Sequence, residues 1–325
     1  MTEVTYSQAI RWGFEHLLST YPETFVIGQG LWSPWYVGDS MTELEKKFGT
    51  NRIIDTPVSE AATTGAAVGA SLNGMKPIVV HPRIDFMLYA IDPIVNQAAK
   101  WSHMFGGQAH PGVTIRGIIN RGGEQGAQHS QSLHSWFAHI PGLRVVMPST
   151  VSDARDLLIA SVLCPDPVIY IDDRWLYSQT DDLGPVQHVD LAAQGPQVIR
   201  AGCDVTLVGS GYSSLLALEA AAKLDEKGIH AEVVDLRVLN PFDPQVVIDS
   251  VVKTGDLVVI DGGWANSGFS AEVIASVAER TAPATLRRAP RRVTLPPAPA
   301  PTSAPLESIY YPTVNDVVQS VIAAS

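Results

Sequence analysis

The 325-residue chain carries 22 basic and 33 acidic residues, and the formal net charge of −11 argues against a general binder of nucleic acids or anionic membranes. With 46% hydrophobic and 17% charged residues it is typical of a globular protein, and its length predicts two domains. No run approaches about 18 uninterrupted apolar residues, and the N-terminus lacks the pattern of a signal peptide, so no membrane span and no secretion are expected. Cys164 and Cys203 lack metal-type spacing and fit a reduced, cytoplasmic protein.

The first half of the chain reads as alternating helices and strands. Helices are predicted over Tyr6 to Thr20, Met41 to Phe48 and Ser152 to Leu163, and strands over Phe25 to Ile27, Arg52 to Ile54, Lys76 to Val80, Gly112 to Ile119, Leu143 to Met147 and Pro167 to Ile171. In the long apolar segment His81 to Phe105, Pro93 argues against one regular helix. The alternation predicts a parallel sheet with both faces covered.

The stretch Asp55 to Gly74 reads as a strand end followed by a helix of small residues. Thr56 is expected to cap this helix, with Pro57 at its first position. Glu60 is its one carboxylate, and residues 61–74 are uncharged. An acid in the first turn gains about 0.3–1 kcal/mol from the helix dipole. From the residues alone, this stabilising role and a functional role for Glu60 are equally supported.

A polar stretch from Ser178 to Gly195 separates the two halves, and we expect a domain over residues 1–185 and a second over residues 186–325. The second half alternates again. Strands are predicted over Asp204 to Val208, Ala231 to Asp235 and Leu257 to Ile260, and helices over Ser213 to Lys227, Phe269 to Glu279 and Val314 to Ala324. The proline-rich stretch Pro290 to Pro305 is expected to lack regular structure. The prediction is two parallel-sheet α/β domains.

Three further patterns have ordinary structural explanations. The glycine turn Gly209 to Ser214 follows a strand, and Asp235 lies where a ribose-binding acid would, but the third glycine of a dinucleotide fingerprint is absent. Histidines at 129, 134 and 139 are spaced by five, which places them together on neither a helix nor a strand, so no metal site is predicted. The arginines at 287, 288, 291 and 292 indicate a solvated surface.

His129 is the histidine that we select as a candidate catalytic residue. It follows the glycine-rich stretch Arg121 to Gly126, whose backbone can approach a ligand closely. Its neighbours Gln128 and Ser130 can form hydrogen bonds that orient the imidazole ring. A histidine held in this way can donate or accept protons near neutral pH.

Several long motifs follow one another along the chain: IIDTPVSEAATTGAAVGASLNGMKPIVV, DFMLYAIDPIVNQAAKW, RGIINRGGEQGAQHSQSLHSWFAHIPGLRVVMPST, GCDVTLVGSGY, AEVVDLRVLNPFD and APLESIYYPT. In this order they resemble the beta subunits of thiamine-diphosphate-dependent 2-oxo acid dehydrogenases of the pyruvate and branched-chain type, within the transketolase-like superfamily. The resemblance covers nearly the whole chain. The implied fold is a pyrimidine-binding domain followed by a domain of the transketolase C-terminal type.

The resemblance implies roles for three residues. Glu60 corresponds to the glutamate that hydrogen-bonds the aminopyrimidine ring of thiamine diphosphate and promotes its imino form, which activates the cofactor. Phe86 corresponds to an aromatic residue against that ring, and His129 to the active-site histidine of the motif Gln-His-Ser. Two positions depart from the family pattern. Gln29 stands where many relatives have an acid, and Arg83 in the altered stretch before Phe86 is placed to contact an anionic substrate.

The resemblance also implies a partner. The family holds diphosphate and Mg²⁺ through a Gly-Asp-Gly motif with a later asparagine, and this chain lacks that pattern. A separate alpha subunit is therefore expected to complete the site and hold the Mg²⁺, in an α2β2 heterotetramer that passes an acyl group to a lipoyl acyltransferase. Some relatives bind a structural K⁺ through backbone oxygens near the turn Ser161 to Pro167.

Oxidative decarboxylation of a 2-oxo acid is the reaction implied first. One alternative is a transketolase-like carboligase half-subunit, in which the activated aldehyde is passed to another carbonyl compound. A second alternative is a non-catalytic scaffold that retains the fold. The combination of Glu60, Phe86 and His129 argues against the scaffold.

Overall fold

The chain forms two compact units. The computed structural model describes residues 2–323. The first unit comprises the chain up to Asn120 together with Trp136–Gln194, and the second comprises Arg121–Ser135 together with the chain from Gly195 onward. The prediction of two α/β domains built on parallel sheets is confirmed.

A parallel sheet forms the centre of the first unit. The strands of this half are β1 (Thr2–Thr5), β2 (Thr24–Gln29), β3 (Ile53–Thr56), β4 (Lys76–His81), β5 (Thr114–Ile119), β6 (Arg144–Val146), β7 (Val168–Asp173) and β8 (Thr180–Leu183). Strands β2 to β7 pair in the spatial order β6-β7-β5-β4-β2-β3, all parallel. Strands β1 and β8 form a separate antiparallel pair, so the stretch that was expected to be a polar linker contains a paired strand.

Helices cover this sheet. They are α1 (Tyr6–Thr20), α2 (Pro34–Val37), α3 (Leu44–Phe48), α4 (Glu60–Ser71), α5 (Ala99–Met104), α6 (His134–Ala138) and α7 (Val151–Leu163). Helix α1 has the predicted bounds, because Thr5 and Gln8 form a capping box at its start. It packs against α7, and Gly13 permits this close approach, since a Cβ there would lie 3.2 Å from Leu158 Cδ2.

The segment before α5 changes helical type, as Pro93 predicted. A 3₁₀ turn covers Phe86–Ala90, a π-helical stretch covers Pro93–Ala98, and α5 follows at Ala99. Proline lacks the backbone N–H that a regular helix would use at this position. Short π-helical stretches of this kind are frequent at functional sites.

The second unit is also a mainly parallel α/β structure. Its strands are β9 (Gln197–Arg200), β10 (Val205–Gly209), β11 (Ala231–Asp235), β12 (Val238–Asn240), β13 (Leu257–Trp264) and β14 (Arg291–Leu295). Its helices are α8 (Tyr212–Asp225), α9 (Gln245–Thr254), α10 (Phe269–Arg280), α11 (Ala304–Glu307) and α12 (Val314–Ile322); the predicted end of the last helix, Ala324, lies outside the described residues. The sheet order is β14-β13-β10-β11-β9, with β9 antiparallel.

Both faces of this sheet are covered, because neighbouring residues of a strand point to opposite faces. Leu207 of β10 lies in an apolar cluster with Leu216 of α8 and Val317 of α12. The next residue back, Thr206, faces α9 instead, where its hydroxyl lies 2.7 Å from that of Ser250. Since both faces are covered, all five residues of β10 are buried.

The expectation that Pro290 to Pro305 lacks regular structure is wrong at both ends, because β14 lies in its first part and α11 begins at Ala304. Strand β14 lies between Pro290 and Pro296 and pairs in parallel with β13 at the edge of the sheet. Prolines flank this strand rather than interrupt it, and an edge strand tolerates them there. Arg291 of this strand forms an ion pair with the buried Asp256 at 2.6 Å. The arginine cluster thus contributes to the structure of the sheet edge.

Candidate active site

The candidate site of the first unit lies where β2, β3 and β4 end. In the parallel register, Gln29 of β2 lies beside Thr56 of β3, and Gly28 lies beside Val80 of β4. A Cβ at Gly28 would lie 2.3 Å from the Val80 carbonyl oxygen, so the strands require glycine here. Ligands of open parallel α/β sheets bind at this carboxyl edge of the strands. The half-buried Gln29 occupies the position where an acid was expected from the family pattern.

Glu60 is the first residue of α4. The prediction that Thr56 caps this helix is wrong, because Thr56 is the last residue of β3 and is held extended by its pairing with β2. Ser59 takes the cap position but makes no side-chain hydrogen bond there. Glu60 is half-buried. Within residues 2–323, its carboxylate makes no hydrogen bond or ion pair, which leaves it available for a ligand.

The small residues of α4 are divided between two faces. The buried face contains Thr64, Ala67 and Val68, and the exposed face carries only small side chains, at residues 61, 62, 65, 66 and 69. A Cβ at Gly65 would be 3.9 Å from Pro93, and nothing lies within 4 Å of one at Gly69. A second backbone can therefore approach this face of α4 closely.

Phe86 begins the 3₁₀ turn against which α4 packs. Its ring is half-buried, and the turn forms when its backbone N–H donates to the Arg83 carbonyl oxygen at 3.2 Å. The structure therefore places Glu60 and Phe86 on two elements of the first unit that are in contact. An aromatic ring on an element that packs against this helix suits a flat heterocycle that also accepts or donates hydrogen bonds.

His81, which ends β4, is a residue of this site that the sequence analysis did not select. It is buried, and its Nε2 lies 3.3 Å from the Thr64 hydroxyl, one turn of α4 beyond Glu60. Burial lowers the pKa of the imidazole to about 4, so the ring is neutral near neutral pH. A histidine at the end of an apolar strand was the available signal, since the run IVV before it predicts burial.

His81 predicts an acid-sensitive step in stability. Below the ordinary pKa of 6.5 the unfolded chain binds a proton that the folded chain does not bind until about pH 4. The contribution of His81 is therefore fully present above pH 6.5 and is lost as the pH falls to 4. Between pH 7 and pH 4, we expect the free energy of unfolding of His81→Asn to fall by about 3 kcal/mol less than that of the wild type. Denaturant titrations at several pH values measure this, with the exposed His139→Asn as control; parallel pH curves for wild type and His81→Asn would contradict it.

Arg83 lies beside an exposed aromatic loop of the first unit. Trp35 and Tyr36, 84% and 45% exposed, follow β2, and the guanidinium of Arg174 donates to the carbonyl oxygens of both. Burial and then the positive charge of Arg174 lower the pKa of Arg83. Two cations and exposed rings at one sheet edge suit an anionic substrate with a ring or a flat group. This loop, which includes the four-residue helix α2, was not singled out from the sequence, because so short a helix has no periodic signature.

His129 belongs to the second unit, whereas Glu60 and Phe86 belong to the first. It is half-buried, and its backbone N–H donates to the Gly126 carbonyl oxygen at 3.3 Å. Of the two neighbours that were expected to orient the imidazole ring, Ser130 is buried and Gln128 is exposed. The glycine-rich turn is compact here, since Gly126 has a φ of 73°, a backbone region that other residues rarely adopt.

His134 is a buried structural residue. Its Nε2 lies 3.1 Å from Asp261 Oδ1, and its Nδ1 lies 2.9 Å from the Ser132 hydroxyl. Burial by itself would raise the pKa of Asp261, but His134 and the backbone N–H groups of Ser270 and Gly263 outweigh it and lower that pKa to about 2. Asp261 is thus an internal partner of His134 within β13. Sequence spacing alone could not indicate this pairing, because the two residues are far apart in the chain.

Asp235, the candidate ribose-binding acid near the glycine turn after β10, has a hydrogen-bond partner within the protein. Asp235 is fully buried, and its carboxylate accepts a hydrogen bond from the Ser214 hydroxyl at 2.8 Å. A Cβ at Gly209 would lie 2.7 Å from the backbone of Ser213, so glycine is needed for close packing of strand and helix. Both features support the interpretation of this turn as structural.

Neither a membrane helix nor a metal cluster was found in the part of the chain that the structure describes. No helix there is long and apolar enough to cross a membrane. Across residues 2–323, no three His, Cys, Asp or Glu side chains are grouped so that they could hold a metal ion.

Comparison with known proteins identifies the family. Residues 2–179 match the model of the transketolase pyrimidine binding domain, and residues 196–317 match that of the transketolase C-terminal domain. The pyruvate dehydrogenase E1 component subunit beta of Rhizobium meliloti is 36% identical, over 99% of this chain and 70% of the relative. The chain belongs to the beta-subunit family of thiamine-diphosphate-dependent 2-oxo acid dehydrogenases. The resemblance read from the motifs is thereby confirmed, as is the predicted order of the two domains.

Other members and neighbours of this beta-subunit family agree. The acetoin:2,6-dichlorophenolindophenol oxidoreductase subunit beta of Cupriavidus necator is 42% identical, over 82% of this chain and 78% of the relative. A solved structure described as a split gene transketolase, inactive beta4 tetramer, has a TM-score of 0.79 and 21% identity, and covers 99% of this chain and 98% of that chain. At that identity the likeness concerns the fold alone.

Proposed function

We propose that the chain is the beta subunit of a thiamine-diphosphate-dependent 2-oxo acid dehydrogenase that decarboxylates a 2-oxo acid and passes the acyl group to a lipoyl partner. The observation that carries the proposal is Glu60. Its half-buried carboxylate begins a helix at the carboxyl edge of a parallel sheet and has no partner within residues 2–323. A carboxylate presented in this way matches the single acid that the pyrimidine ring of the cofactor requires.

The residues present fit the pyrimidine half of the cofactor. Glu60 would accept or share a proton at the aminopyrimidine ring, and the ring of Phe86 would stack on it. His129 would stabilise charge or move protons around the substrate. Bound thiamine diphosphate supplies the electron sink that decarboxylation of a 2-oxo acid needs.

The residues present do not fit the diphosphate half. The chain lacks the Gly-Asp-Gly motif, and the described residues contain no group of three His, Cys, Asp or Glu side chains that could hold a metal ion. We therefore assign Mg²⁺ and diphosphate to an alpha subunit in an α2β2 heterotetramer. The small-residue face of α4, which begins at Glu60, is suited to close contact with that subunit. As part of the same proposal, a structural K⁺ like that of some relatives binds near the turn Ser161 to Pro167.

The test is reconstitution. The purified chain is mixed with a candidate alpha subunit that carries the Gly-Asp-Gly motif, together with thiamine diphosphate and Mg²⁺. Reduction of dichlorophenolindophenol is then followed with pyruvate, branched-chain 2-oxo acids and acetoin, so that no lipoyl partner is needed. We expect turnover with both subunits and none with either alone. Turnover by this chain alone would contradict the shared site.

A carboligase is the second candidate function, and the aromatic loop favours it. Exposed Trp32, Trp35 and Tyr36 after β2 can stack on a ring-shaped acceptor such as a sugar. Arg83 in the same unit would attract an anionic group of that acceptor. Adding aldehyde or sugar acceptors to the reconstituted complex distinguishes the two reactions. A carboligase would form a carbon–carbon bonded product without reducing the dye.

A further inference from the structure

The loop that carries His129 is anchored on β13 at both ends. We call residues Arg121–Ser135 the His129 loop. At one end, Arg121 packs against Gly262, where a Cβ would lie 2.9 Å from the guanidinium Nη1. At the other end, His134 pairs with Asp261, the preceding residue of the same strand. The two ends are therefore fixed by consecutive residues of the sheet, within the second unit.

The middle of the loop is held by the C-terminal segment, Thr302–Tyr311. The backbone N–H of Glu124 donates to Glu307 Oε2 at 2.8 Å, and the backbone N–H of Ala304 donates to Glu124 Oε1 at 3.1 Å. These two bonds form a reciprocal pair between the loop and α11. Glu124 has a φ of 61°, a left-handed conformation that is unfavourable for a residue with a side chain. The hydrogen bond that the Glu124 N–H donates to Glu307 stabilises the backbone at Glu124, where it is strained.

The contact continues from Glu124 to His129. Gly126 lies against Thr302, because a Cβ at Gly126 would be 2.3 Å from Thr302 Cγ2. The carbonyl oxygen of Gly126 then accepts the hydrogen bond from the backbone N–H of His129. A change at Glu307 would therefore reach His129 through a turn of six residues, Glu124 to His129.

Glu307 is also costly to the fold. It is 8% exposed, and its Oε1 is buried without a hydrogen-bond partner among residues 2–323. A buried carboxylate oxygen left unpaired costs stability, so packing alone does not account for an acid here. Tyr311, at the end of the same segment, lies close to Ser130 and Gly122, and burial raises the pKa of its phenol against the effect of those two neighbours.

We infer that Glu307 is a positioning residue for His129: its carboxylate holds the turn at Glu124 and so sets the place of the imidazole ring. This rests on the proposed function of His129. The C-terminal segment of the second unit is then part of the catalytic machinery, although it supplies no group to the substrate. A misplacement of about 1 Å at a reacting group can cost about 100-fold in rate.

The test uses the complex with the alpha subunit. In Glu307→Ala, we expect kcat to fall between about 10-fold and 100-fold, with KM for the 2-oxo acid little changed. Glu307→Gln keeps an acceptor oxygen for the Glu124 N–H and should retain most of the activity. The control is Glu232→Ala, which removes a second buried glutamate of the same unit that accepts a backbone N–H, from Gly202, away from the loop. It should lower the thermal midpoint while kcat of the folded complex stays unchanged.

A double-mutant cycle separates the two hypotheses. In a His129→Gln background, Glu307→Ala should cause little further loss of kcat, because its effect acts through His129. Both variants should also lose the same limb of the pH profile of kcat. If His129→Gln has wild-type activity, the proposed role of His129 fails. If His129→Gln is impaired while Glu307→Ala has a wild-type kcat and pH profile, the positioning role fails alone. Should Glu307→Ala not assemble, Glu307→Asp serves in its place, and a wild-type kcat and pH profile there overturns the inference.

Discussion

Glu60→Gln is expected to abolish most of the turnover of the reconstituted complex. Glutamine has nearly the same shape, so the start of α4 and its packing against the turn at Phe86 are preserved. It cannot share a proton with the pyrimidine ring, and loss of a positioned proton-transfer group typically costs about 100-fold to 10,000-fold in rate. Steady-state kcat with saturating thiamine diphosphate and Mg²⁺ measures this loss.

The alternative role of Glu60 makes a different prediction for the same variant. If Glu60 only stabilises the helix dipole, Glu60→Gln would lower stability by about 0.3–1 kcal/mol and leave turnover unchanged. Glu272→Gln is the matched control, because Glu272 is an exposed acid in the first turn of α10. Unchanged turnover in both variants would favour the scaffold function over the enzyme. Thermal midpoints of the two variants show whether any loss of activity is a loss of folded complex.

The elements of the fold could be predicted because their signals are local. Tyr6–Thr20 and Ala231–Asp235 have the bounds that their apolar pattern predicted. The start of α4 could not be predicted, because Thr56 and Pro57 form a good local helix start. The competing effect is non-local, since pairing with β2 keeps Thr56 in the strand. Strand β14 was missed for a similar reason: its neighbour β13 supplies the pairing that the proline-rich sequence does not reveal.

The candidate site shows the same division. Glu60, Phe86 and His129 were selected from motifs that lie in single continuous stretches. His81 and Glu307 were not, because their importance depends on partners at Thr64 and Glu124, which are far away in the sequence. A lone histidine or glutamate carries no mark of such a partner. Only the folded chain brings these pairs within hydrogen-bond distance.

The buried ion pair between β5 and β7 is expected to have the largest effect on stability. Arg116 and Asp172 are fully buried and are joined by two hydrogen bonds, at 2.7 and 2.9 Å. The Tyr177 hydroxyl donates to Asp172 at 2.6 Å, and Arg116 also donates to Ser40. Burial by itself would lower the pKa of Arg116, but Asp172 raises it above its ordinary value, so the arginine stays charged.

Asp172→Ala should therefore destabilise the protein by about 3–5 kcal/mol, because it leaves the charge of Arg116 buried without a counter-ion. The thermal midpoint should fall by about 10 °C. In the double variant Arg116→Met with Asp172→Ala, the unpaired charge is gone, so much of the lost stability should return. Denaturant unfolding of the three proteins measures the difference.

The control is Glu43→Gln, which removes an exposed ion pair with Lys46 and should change stability very little. If the double variant is no more stable than Asp172→Ala, the shape of the contact between β5 and β7, and not the unpaired charge of Arg116, causes the loss of stability.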